Sequence, residues 1–211
     1  ERYISANYQS YNEMNGDNIN DVFVDESKRI WLANYPTGIT VIDYRYENYH
    51  WMKHSMGNKQ SIVNDQVHAV IEDSDGDLWF GTSNGISLYN SGTGEWHSFL
   101  SSFNHQLKDK NHIFITLCEV SPVIIWAGGY TSGIYKINKA DLSVEYFSPY
   151  LLSHINMRPD KYIRDMIKDS KGHIWSGGYY NLKCFDLATN SVRLYPGVSS
   201  ITAIAEKDSH N

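Results

Sequence analysis

Four stretches of the chain share one hydrophobic rhythm. Counted back from Trp31, Trp79, Trp126 and Trp175, apolar residues recur at minus 12, minus 9 and minus 8. They are Ile19, Val22 and Phe23; Val67, Val70 and Ile71; Phe114, Leu117 and Cys118; and Ile163, Met166 and Ile167. Each run predicts a short first strand, being rich in β-branched and aromatic residues and bounded by turn formers. At minus 6 stand Asp25, Asp73 and Asp169, followed by polar residues such as Ser74, Asp75 and Gly76. An Asp side chain there bonds backbone amides, and Gly tolerates a positive φ, so the chain is expected to reverse. A second strand carries the Trp. Two residues later come Ala33, Gly81, Gly128 and Gly177, small enough for close backbone approach. Gly38-Ile39, Gly85-Ile86, Gly133-Ile134 and Asn181-Leu182 open a third strand, which ends at Asp43, Asn90, Asn138 or Asp186. A fourth strand holds Tyr49 and Trp51, Trp96 and Phe99, Tyr146 and Phe147, or Tyr195. Each copy thus predicts four antiparallel strands.

The tryptophans lie 48, 47 and 49 residues apart, and no stretch sustains a 3.6-residue period. The expected class is all-β. Four-stranded units of this length are the grammar of β-propellers. The recurring wording I-x-x-x-D-x-x-G-x-L-W-x-G-T-x-x-G-I-x-x-Y, clearest from Val67 to Phe99, resembles the two-component regulator propeller repeat. That resemblance implies the extracytoplasmic sensor region of a hybrid two-component protein of Bacteroidota-type bacteria. It covers four repeats, from about Asp17 to Pro196, and a fifth beginning at Ile201. The expected organisation is a preceding blade's last strand at 1–13, blades at 17–60, 61–111, 112–161 and 162–198, and a following blade's first strand at 199–211. At this period, 211 residues span roughly four and a half blades, a fragment of a larger ring. One copy departs: Val120-Ser121-Pro122-Val123 precedes Trp126 without the Asp or the Gly, so its first hairpin is expected to be longer or reshaped.

A formal charge of −6 with no basic run argues against a nucleic-acid partner. No apolar stretch approaches 18 residues, so any export signal or membrane helix is expected outside this segment. Cys118 and Cys184 map to a first and a third strand and read as small buried hydrophobes rather than a disulfide.

Several motifs dissolve against the repeat. Gly81-Thr82-Ser83-Asn84-Gly85 matches G-x-S-x-G, whose chemistry needs a strand-to-helix turn, a His base and an oxyanion hole. Here it lies between two strands, so no catalytic residue is assigned. Asp73-Ser74-Asp75-Gly76-Asp77 resembles the start of a calcium loop, but position 12 is Asn84 rather than Glu, and a hairpin turn explains it better. Neither H-x-H nor H-E-x-x-H occurs; no metal or cofactor is expected. His50, His54, His97 and His112 fall in connecting regions and are expected to be solvated. A Trp required in every blade is expected to be core.

In a repeat protein, residues that depart from the shared wording on one face are the candidates for binding. The loops between second and third strands carry Tyr35, Asn84, Tyr130, and Tyr179 with Tyr180. First-strand positions offer Asn20, Asp21, His68, Arg164 and Asp165 to the same rim. Long connections at His54 to Ser61, Ser101 to Asn111 and Ser148 to Lys161 join it. Tyrosines interleaved with Asn, Asp and Arg suit a neutral or anionic carbohydrate, so Tyr35, Tyr130, Tyr179, Tyr180, Arg164, Asp165 and Asn84 are the ligand-binding candidates. The favoured function is a non-enzymatic, periplasmic sensing segment with an oligosaccharide ligand, contacts to neighbouring propeller or sensor domains of the same protein, and a homodimer. The alternatives are an interaction scaffold without its own ligand, and a lyase-like propeller enzyme using His68, His112 or His154.

Overall fold

The computed structural model describes residues 18–43, 48–102, 112–147 and 161–207. The strand expected at 1–13, His154, and most of the connections around 103–111 and 148–160 lie outside the described residues. Among the described residues sixteen strands form four sheets, and each sheet follows chain order. The first contains β1 (Ile19–Val24), β2 (Ile30–Asn34), β3 (Gly38–Asp43) and β4 (Asn48–Met52); the second β5 (Val67–Glu72), β6 (Leu78–Thr82), β7 (Gly85–Tyr89) and β8 (Trp96–Phe99). The third contains β9 (Phe114–Ser121), β10 (Ile124–Gly129), β11 (Ile134–Asn138) and β12 (Val144–Phe147); the fourth β13 (Ile163–Lys168), β14 (Ile174–Gly178), β15 (Leu182–Asp186) and β16 (Ser191–Tyr195). The neighbours within β1–β4, β5–β8, β10–β12 and β13–β16 pair antiparallel, as in the blades of a β-propeller. The chain divides into two compact units, Glu1–Phe114 and Ile115–Asn211.

The repeated Trp lies in β2, β6, β10 and β14, and Trp31, Trp79 and Trp126 are fully buried. In the first unit Trp31 shares one core with Ile62, Val67, Val70, Leu78 and Phe80, so the face of one sheet is covered by the next sheet's first two strands. Trp126 sits likewise among Ile163, Met166, Ile174 and Phe185. Trp175 is half-buried and packs its ring 5.3 Å from that of Tyr195.

The Asp at minus 6 has a second function beyond the turn. Its carboxylate accepts the indole N–H of the Trp: Asp25 from Trp31 at 3.0 Å, Asp73 from Trp79 at 2.8 Å, and Asp169 from Trp175 at 2.8 Å. In the third copy the hairpin is reshaped as expected. β9 runs to eight residues, leaving Pro122 and Val123 as the turn.

Side chains at minus 10 tie each repeat to the segment that follows it within its unit. Asp21 accepts the Val70 amide at 3.0 Å, Thr116 the Met166 amide at 3.1 Å, and Asp165 the Ile204 amide at 2.5 Å. Ala69 occupies this position in the second sheet and carries no acceptor.

Candidate functional site

The register of the first hairpin positions several of the candidate residues. Pairing slips between Ile19 and Asp21, between Val67 and Ala69, and between Ile163 and Asp165, making Asn20, His68 and Arg164 bulged residues at equivalent positions. A bulge re-aims a side chain. The neighbouring Asp21 and Asp165 keep the regular register, and both oxygens of each accept backbone amides. The acids hold the fold, whereas the bulged residues stand at the loop end of the sheet.

The second element is the fourth residue after each Trp, Tyr35 and Ser83 in the first unit and Tyr130 and Tyr179 in the second. The three tyrosines are 36%, 46% and 59% exposed, whereas the strands that precede them are mostly buried. Tyr180 is also exposed and meets Tyr179 edge-on at 5.0 Å. In the same unit Tyr130 meets Tyr162 edge-on at 5.1 Å, and Arg164 is exposed. Asn84 is half-buried, with Oδ1 accepting the Ser102 amide at 3.0 Å.

In the first unit the bulge and the loop make a linked cluster. Asn20 Nδ2 donates to the Val67 carbonyl at 3.0 Å and lies 3.4 Å from His68 Nδ1. His68 Nε2 lies 2.8 Å from Ser83 Oγ, and the His68 ring is 6.0 Å from that of Tyr35. A backbone carbonyl only accepts, so it fixes the amide nitrogen of Asn20 toward Val67 and His68. The serine of the G-x-S-x-G match thus has a histidine neighbour, and which atom of the pair donates depends on the tautomer of His68.

Of the histidines expected to be solvated in connecting regions, His54, His97 and His112 are half-buried. His50 and His97 belong to β4 and β8. His54 Nδ1 is 2.9 Å from the Ile62 carbonyl and His112 Nδ1 is 2.8 Å from the Leu100 carbonyl, so each fastens its own connection. Sequence reading placed His68 on the rim but missed its contact with Ser83. The available signal was that Ser83 alone replaces Tyr four residues after the Trp, in the copy whose minus 11 residue is histidine.

Among the described residues no cluster of His, Cys, Asp and Glu has the arrangement of a metal site. Cys118 is buried, and burial pushes its thiol up to about 11, which makes it an inert packing group. A cavity of about 270 Å³ beside the fourth sheet is lined by Asp169, His173, Trp175 and Arg193 among others. Burial pushes Asp169 up, but bonds from the Trp175 indole and from His173 and Lys171 outweigh it and hold the carboxyl down at about 2. This acid is committed to the hairpin.

Residues 61–84 match the family model described as two component regulator propeller. The extracellular domain of BT3049 from B. thetaiotaomicron, described as a hybrid two component system, is similar in structure with a TM-score of 0.74 and 20% identity. The alignment covers 90% of this chain and 25% of that one. The extracellular domain of BT4673 from the same organism gives a TM-score of 0.61 at 17% identity, over 87% of this chain and 22% of that one. Virginiamycin B lyase from Staphylococcus aureus gives 0.64 at 12% identity, over 87% and 57%. The chain thus spans about a quarter of the two-component relatives it resembles. None of the curated proteins matches it in sequence. The all-β propeller fold is shared across these structures, and residues 61–84 carry the wording of the two component regulator propeller.

Proposed function

We infer that this chain is part of the extracytoplasmic, periplasmic region of a hybrid two-component signalling protein and contributes a rim that binds a carbohydrate fragment. The observation that carries the reading is the exposed tyrosine four residues after Trp31, Trp126 and Trp175, on loops that vary while the blade core repeats. Such rings offer a flat apolar face and a polar tip, the combination that covers a sugar face and bonds its hydroxyls. The family match at 61–84 and the extracellular sensor domains of similar fold support the sensing role. In this reading neighbouring domains of the same protein, or a second copy of it, receive the signal as a change of arrangement. The segment itself is read as non-enzymatic, because Gly81-Thr82-Ser83-Asn84-Gly85 lies between two strands and not at the strand-to-helix turn that a nucleophilic serine needs.

Among the described residues no helix is long and apolar enough to cross a membrane. The sensing assignment is tested by calorimetry of the chain against a panel of oligosaccharides, with accessibility labelling in intact cells for location. Saturable binding together with labelling from the periplasmic side is expected. Absence of binding across the panel would leave an interaction scaffold as the better reading.

A further inference from the structure

We propose that residues 201–206 are the first strand of a further blade, and that its edge, with the Trp175 face of the fourth sheet, receives a β-hairpin of the repeat's own wording. Three contacts that recur between copies place this strand. The Ile204 amide donates to Asp165 as the Val70 amide does to Asp21 and the Met166 amide to Thr116. Ile201 stands three residues earlier, the spacing of Val67 from Val70 and of Ile163 from Met166. A Cβ on Gly177 would strike the Ile201 side chain, as one on Gly128 would strike that of Ile163. Glu206 accepts the Ser170 amide at 2.8 Å, the counterpart of Glu72, which accepts the Glu26 amide at 3.4 Å. Each contact joins the same two positions of the repeat, so residues 201–206 occupy a first-strand seat.

Among the described residues this strand belongs to none of the four sheets. A backbone edge without a ladder partner is a template for another strand. Burial agrees. Val67, Val70, Ile163 and Met166 are at most 4% exposed, whereas Ile201 and Ile204 are half-buried. Trp175 is half-buried too, where Trp31 and Trp126 are 1% exposed. Over Trp31 lie Leu78 and Phe80 of the following sheet's second strand, and over Trp126 lies Ile174 of β14. Beside Trp175 the equivalent space is the cavity of about 270 Å³ that also meets Cys184, Arg193 and Tyr195. The occupant's chemistry follows from register. In the second sheet Phe80 stands opposite Val70 and Leu78 opposite Glu72, so the arriving strand sets apolar residues opposite Ile204 and Glu206, facing Trp175. All three contacts join consecutive repeats, so the occupant is the remainder of a fifth repeat in the same protein.

The probe is a synthetic peptide of residues 76–99, which carries the second, third and fourth strands of one repeat. Titrated into the nitrogen-labelled 211-residue chain, it is expected to bind saturably, slow amide exchange within 201–206 and move the Trp175 indole signal. Ile204→Lys sets a charge in the apolar seat and should weaken binding about tenfold. A peptide carrying Phe80→Asp should show the same loss on the unaltered chain, which answers the question even if Ile204→Lys lowers the melting temperature. No binding would overturn the proposal, as would binding that leaves exchange within 201–206 unchanged or affinity indifferent to both substitutions. Protection of 201–206 that rises with the concentration of the chain alone, with a dimer mass in sedimentation, would overturn the assigned occupant in favour of a second copy. None of these outcomes depends on whether the rim binds a sugar.

Discussion

The indole N–H of Trp79 ends 2.8 Å from Asp73 Oδ2, while Oδ1 of the same carboxylate accepts the amides of Asp75 and Asp77 at 2.9 and 3.0 Å. One buried acid thus binds the hairpin turn and the core aromatic together, and Asp25 and Asp169 do the same in their copies.

Trp79→Ala is expected to cost about 3–5 kcal/mol through lost burial and a residual cavity. Asp73→Ala leaves the buried indole N–H unpartnered and loosens the turn, for a loss of about 2–3 kcal/mol. Denaturant unfolding measures both. A smaller cost for Trp79→Ala than for an exposed control such as Tyr179→Ala would contradict the repeat register.

Acid sensitivity should trace to the same group. The Asp169 carboxyl sits at about 2, below its ordinary value of 3.8, so the folded state favours the charged form. Its contribution to stability is complete above pH 3.8 and is lost as pH falls toward about 2. Asp169→Asn should flatten the melting temperature across that window and leave the slope above it unchanged.

Gly85 has φ +103, and a Cβ there would lie 2.5 Å from the Phe99 carbonyl oxygen. Gly85→Ala is therefore expected to destabilise by about 1–3 kcal/mol. Gly172, also at positive φ but with nothing within 4 Å, should lose less on the same substitution. Thermal melts of the pair separate crowding from backbone strain.

The minus 10 ties predict a local effect. In Asp21→Ala the Val70 amide loses its acceptor at 3.0 Å, and its hydrogen exchange should accelerate relative to neighbours in β5. Unchanged protection of Val70 would show that the bond contributes little to joining the sheets.

On the rim, Tyr130→Ala and Tyr179→Ala should weaken oligosaccharide binding without lowering the melting temperature, because neither ring enters the cores around Trp31 or Trp126. Equal affinity in both variants would remove these loops from the site.

Local wording along the chain determined the blade. The Trp pitch, the minus 12, 9 and 8 apolar positions and the positive-φ glycines at 38, 85 and 133 specify strand order and buried face, because each is a nearest-neighbour property of one hairpin. What only the tertiary structure decided are relations between copies. That Asp73 reaches an indole depends on how its hairpin curls over the core. That Asp21 and Asp165 turn to amides of the following repeat depends on sheet stacking, as does the meeting of Asn20 with His68, 48 residues on. The bulges at Asn20, His68 and Arg164 arise from a slipped register that no alternation of polar and apolar residues announces. A side chain's exposure can be read from its place in a repeat, but the contacts that join Asn20, His68 and Ser83 are set by which partners the neighbouring strands present.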